Sequence, residues 1–198
     1  MASRNRLIQM FMSQGNMNKA GLDRIGIALA GADLIRSGGR GRYTVDMDCK
    51  DAKNLLIGVM ASGGNVSSVV RDVVAYNALP VLGDRYIDSY GAAETFGEAI
   101  ESILSMSESA FPNHNIKSIS VCRTWPEGRI SWTDSDGTER QAIFREQNVK
   151  RYLLWEDFTV HKSFLDLLWI RLNKPSKVGW AENTPDDGSF EFADESEE

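Results

Sequence analysis

The feature that most constrains the fold is a change of hydrophobic period near Pro112. Up to about residue 110, apolar residues recur at helical spacing. Beyond it come three short runs, "IKSISVCRTW", "RISWT" and "TERQAIF", separated by "PEG" and "DSDG". The runs are rich in β-branched and aromatic residues and the separators are turn chemistry, so a three-stranded antiparallel meander over about 116–144 is expected. Alternation puts Ile119 and Val121, with Arg123, on one face.

The preceding part reads as a series of helices. Ser3 caps a helix presenting Leu7, Ile8, Phe11 and Met12. A second pattern over 20–35 gathers Leu22, Ile25, Leu29 and Ala32, and the glycine–arginine run after it is a stop. Asp48 caps a helix over 50–60. Asn65 caps another that ends near Leu79, with a stripe of Val66, Val69, Val70, Val73 and Val74. Thr95 and Glu98 have capping-box spacing at the start of a helix over 92–106. Tyr43–Val45 reads as a short extended piece. After the meander, "NVKRYLLWEDF" and "TVHKSFLDLLWIRL" read as helical again.

The fold class is therefore α+β, a mostly helical single domain with a small β-meander and an acidic tail. The expected layout is a globular part over 1–174 (helical 1–110, meander 115–145, helical 148–173) and a disordered tail over 175–198, which has little to bury and much to repel. A chain that is 42% hydrophobic and 25% charged can fill a core of that size. No run approaches the ~20 apolar residues of a membrane span, and no signal peptide is expected because no cleavage site follows a proper apolar region. Two cysteines, Cys49 and Cys122, far apart, make no disulfide framework, so a reducing, cytoplasmic setting or a virus particle is expected.

Charge is divided along the chain. Residues 1–45 carry seven bases (Arg4, Arg6, Lys19, Arg24, Arg36, Arg40, Arg42) and two acids, a net of +5, whereas residues 178–198 carry eight acids and no base, a net of −8. The run "RSGGRGR" packs three arginines and three glycines into seven residues. Glycines free backbone N–H groups and arginines supply forked donors, a chemistry suited to phosphate. Its spacing matches neither the Gly-Lys-Ser/Thr phosphate loop nor the dinucleotide glycine fingerprint. Arg36, Arg40 and Arg42, with Arg4 and Arg6, are thus the candidates for sequence-independent contact with a polyanion.

Catalytic constellations are weaker. Asp46, Asp48 and Asp51 could hold a hard cation, although Asp48 as a cap and Asp51 in the first turn explain themselves. Asp134, Asp136 and Gly137 have short calcium-loop spacing, but Trp132 and Ile143 fall where acids are required; a hairpin turn is expected. His114, His161 and two cysteines are too scattered for a zinc site. No cofactor is expected. The helix holding Leu165, Leu168 and Trp169 is apolar nearly all round and must be covered on every side, so these three are candidate oligomer contacts.

The tail interleaves Phe190 and Phe192 with acids and is a candidate contact for a protein partner. In this one feature it resembles the acidic tails of phage and bacterial single-stranded-DNA-binding proteins, without a basis for their barrel in residues 1–110. The functional expectation is a non-enzymatic, self-associating structural or nucleic-acid-associated protein, of viral or phage type, with no membrane partner. Two other classes stand beside it: a regulatory module acting through the tail, and a metal-dependent enzyme using Asp46 and Asp48.

Overall fold

The computed structural model describes residues 2–15, 18–37, 46–82, 93–110, 115–147 and 156–173. Its elements run β1 (Ala2–Ser3), α1 (Arg4–Gly15), α2 (Lys19–Gly31), β2 (Asp46–Met47), α3 (Cys49–Ser62), α4 (Val69–Asn77), β3 (Val81–Leu82), α5 (Phe96–Leu104), β4 (Ile116–Cys122), β5 (Glu127–Thr133), β6 (Glu139–Arg145), β7 (Asp157–His161) and α6 (Lys162–Asn173). This is an α+β fold, with helices on one face of an antiparallel sheet of order β3-β6-β5-β4-β7. Tyr43–Val45, and the 83–92 and 148–155 stretches, lie outside the described residues.

Caps place the helices. Asn18 Oδ1 accepts from the Gly21 N–H at 2.6 Å to open α2. Asp48 and Asp51 form a reciprocal capping box on α3, as Thr95 and Glu98 do on α5. Asn65 opens a turn one step before α4, its Oδ1 accepting from the Ser67 N–H at 3.1 Å. The valine stripe is narrower than its spacing suggests: Val69 and Val73 are buried with Tyr76, but Val74 faces outward.

α3 is the central helix. Every residue from Asp51 to Ser62 is buried, because α2, α4 and α5 pack around it and β4 and β7 lie beneath it. Gly58 permits this crowding: a Cβ there would meet Leu29, Val69 and Val73 at 3.1–3.3 Å. Most polar groups drawn into the interface are paired, Asn77 Oδ1 being buried without a hydrogen-bond partner among the described residues. Asn54 Nδ2 donates to the Leu34 carbonyl at 2.6 Å, and Asn77 Nδ2 donates to Asn54 Oδ1 at 2.9 Å. Lys53 Nζ reaches Glu101 at 2.7 Å.

The meander forms as the sequence implies. Its second turn is a hairpin, with Thr138 N–H donating to Asp136 Oδ1 at 2.8 Å and Gly137 at φ 84°. Ile119, Ile130, Ala142 and Val160 share one row of the helix-facing side, and Val121, Gly128, Phe144 and Phe158 the next. Phe96 of α5 lies on Gly128 and meets Phe144 at 5.4 Å between ring centroids. Arg123 stacks over Phe158 at 4.7 Å and donates from Nε to the Met60 carbonyl at 2.8 Å, placing a cation at the end of α3.

One expectation is corrected. The stretch Asp157–His161, read as the start of a helix, is a strand paired with β4 from Ser118 to Cys122. Its apolar residues merge into those of α6, so the sequence shows one continuous run. The unfilled edge of β4 decides otherwise, since its backbone groups need partners. Among the described residues, no helix is long and apolar enough to cross a membrane.

Candidate functional site

The first arginine of "RSGGRGR" has a structural partner. The Arg36 backbone N–H donates to Asp51 Oδ1 at 2.9 Å, its Nε donates to Asp51 Oδ2 at 2.6 Å, and its terminal nitrogen lies 3.2 Å from Asp48 Oδ2. Asp51 Oδ2 also accepts from the Asp48 N–H at 3.1 Å, and Asp48 Oδ1 from the Asp51 N–H at 2.9 Å. Two of the three carboxylates that could have held a cation, Asp48 and Asp51, are thus occupied by the helix cap and by this guanidinium. The hydrogen bond to Asp51, reinforced by the charges of Asp48 and Asp46, raises the Arg36 pKa. Asp46 is exposed in β2. Among the described residues no group of three histidine, cysteine or acidic side chains could hold a metal.

A second constellation, on the sheet face away from the helices, escaped the sequence reading. Register puts Asp157, Cys122, Glu127 and Arg145 in one row across β7, β4, β5 and β6. Glu127 is fully buried. Arg129, two residues along the same strand, donates from Nε to Glu127 Oε1 at 2.7 Å and reaches Asp157 at 3.0 Å. Arg145 lies 3.4 Å from Glu127 Oε2, while its own Nε is buried with no hydrogen-bond partner among the described residues. Burial lowers the Arg129 pKa, but the bond and charge of Glu127 and the charge of Asp157 outweigh it, and the net shift is upward. Glu127 shares its charge between two guanidinium groups, which suits a structural tie rather than a base. The signal was Glu127 and Arg129 at strand spacing; the turn chemistry of "PEG" concealed it.

The two cysteines are free thiols, Cys49 half-buried and Cys122 buried. Cys49 donates from Sγ to the Leu104 carbonyl at 3.3 Å, and burial, then the charges of Asp48 and Glu101, push its thiol pKa up. That opposes thiolate formation. Cys122 is buried; His161 is exposed at the end of β7, and His114 lies outside the described residues.

The remaining expected site residues separate. The Arg4 stem lies over Gly26, 3.2 Å from where a Cβ would stand, and Arg6 is exposed on α1. Arg40, Arg42, Phe190 and Phe192 lie outside the described residues. Leu165, Leu168 and Trp169, expected to meet another copy, are turned into the chain's own core, with Trp169 only 2% exposed and its Nε1 donating to the Met106 carbonyl at 3.0 Å. The surface that α6 offers is instead Leu167, 37% exposed, and Ile170, 43% exposed, one turn apart.

No family model matches the chain, and no match was found among the curated proteins or the solved structures.

Proposed function

We propose that the protein is a non-enzymatic, self-associating component of structural or nucleic-acid-associated kind, whose basic N-terminal part contacts polyanions and whose acidic tail competes for the same bases. The observation that carries the reading is the charge division, +5 over residues 1–45 against −8 over 178–198. Association through complementary ends needs no catalytic group. The apolar pair Leu167 and Ile170 on α6 supports a contact between copies. Because Arg36 is engaged by Asp48 and Asp51, the phosphate contacts we propose for "RSGGRGR" are those of Arg40 and Arg42.

The test is light scattering with and without a single-stranded oligonucleotide, on the full chain and on a chain ending at Lys177. The full chain should scatter as a multimer. The truncated chain should bind the oligonucleotide more tightly, with affinity falling steeply with salt. Arg40→Ala with Arg42→Ala should flatten that salt slope by about 1.4, at about 0.7 per lost contact to a single strand. A monomer that binds no oligonucleotide at low salt overturns the proposal.

A further inference from the structure

The helical layer exposes the same short pattern twice. On α2, Arg24 is one turn before Ile27, which is 61% exposed; on α4, Arg71 is one turn before Val74, which is 54% exposed. These are the two most exposed large apolar residues among those described. α2 and α4 are neighbours: they pack on each other and both on α3, where Leu29, Val69 and Val73 meet around Gly58. Arg24 is exposed and has no ion-pair partner among the described residues. Among the described residues Arg71 pairs only with the adjacent Asp72, at 3.1 Å, and its side chain is 80% exposed. Asp23 and Asp72 are the acids on these two helices.

Two exposed arginines, each beside an exposed apolar side chain, suit an acidic segment with two apolar side chains. The sequence contains one. Residues 186–195, "DDGSFEFADE", place Phe190 and Phe192 two apart among five acids. In extended backbone, side chains two apart lie on one side at a separation of about 7 Å, comparable with the roughly 8–10 Å between the axes of packed helices. Reach is sufficient. The stretch from Asn173 to Phe190 spans up to about 55–60 Å when extended, more than the diameter of a domain of this size, whose radius of gyration is about 16 Å.

We infer that this tail segment docks on the α2–α4 face of its own chain, Phe190 and Phe192 covering Ile27 and Val74 while the neighbouring carboxylates pair with Arg24 and Arg71. The contact requires no nucleic acid, and its test is separate from that of polyanion binding.

The experiment is paramagnetic relaxation on the full chain, with a nitroxide at Ala193→Cys in a Cys49→Ser background, where a serine hydroxyl can keep the bond to Leu104. Amides over 23–30 and 70–77 should lose most of their intensity, while those of the meander keep theirs. The loss should vanish in Ile27→Asp/Val74→Asp, both exposed positions at which circular dichroism should stay native, and should shrink in high salt. Absence of preferential broadening overturns the inference. So does broadening seen only when nitroxide-bearing chains are mixed with isotope-labelled chains lacking the nitroxide, which assigns the docking to a second copy. Adding oligonucleotide then separates the two readings: if it neither binds nor displaces the tail, polyanion contact fails while the docking stands.

Discussion

Arg36 and Asp51 are joined twice, backbone N–H to Oδ1 at 2.9 Å and Nε to Oδ2 at 2.6 Å. The pair fastens the segment after α2 to the first turn of α3, and Asp51 is buried there while Arg36 is half exposed. Asp51→Ala removes the capping box and leaves Arg36 with Asp48 alone, and should cost about 2–3 kcal/mol. Arg36→Ala should cost less, about 1–2 kcal/mol, because the exposed guanidinium is partly screened. Urea denaturation measures both. Oligonucleotide affinity should be unchanged in Arg36→Ala, since this side chain is already engaged.

Glu127→Leu should be strongly destabilising, by about 3–5 kcal/mol, because two partly buried guanidinium groups lose their carboxylate. Replacing Arg129 and Arg145 by methionine in the same chain should recover part of the loss. Thermal melting of the single and triple variants checks this; a Glu127→Leu protein as stable as the original refutes the structural role of the cluster.

Gly128→Ala sets a Cβ 2.7 Å from the ring of Phe96. Neither the strand nor the buried ring has room to yield, so a loss of about 1–3 kcal/mol is expected. Phe96→Leu should cost less in the Gly128→Ala background than in the original, which chemical denaturation of the four proteins would reveal.

Tyr76 supplies a pH test. Its hydroxyl is buried and donates to the Cys122 carbonyl, and burial, then the charges of Cys122 and Asp72, raise its pKa above the ordinary 10.0. The folded protein holds this proton more tightly than the unfolded chain. The contribution is therefore complete below about pH 10 and is lost as pH rises through the folded value. Tyr76→Phe should lose about 1 kcal/mol at neutral pH and show a shallower alkaline decline. Identical alkaline slopes in the two proteins would contradict the assignment.

On α6, Trp169→Glu should unfold the protein, because a buried indole donating to Met106 cannot be replaced by a carboxylate. Ile170→Glu should leave circular dichroism unchanged and lower the mass in light scattering. Unchanged mass removes α6 from the contact between copies.

The helices and the meander were legible in the sequence because their determinants are local. Asp48 with Asp51, Thr95 with Glu98, and the turn residues of "DSDG" each act within three or four positions, and hydrophobic period tells helix from strand over a dozen residues. What depends on distant chain was not legible. Asp157–His161 became a strand because β4 offered it an edge, and nothing within those five residues says so. Glu127 looked like an exposed turn acid until register set it beside Arg145, eighteen residues on. Leu165, Leu168 and Trp169 were read as oligomer contacts because an all-round apolar helix shows no preferred side, and only packing against the core chose which residues the chain itself hides. The sequence alone determined the charge division and the aromatic–acidic tail. Only the tertiary structure decided that Arg36 is already held by carboxylates, and that Ile27 and Val74 stand exposed beside arginines on adjoining helices, because a side chain's partners are set by which elements meet.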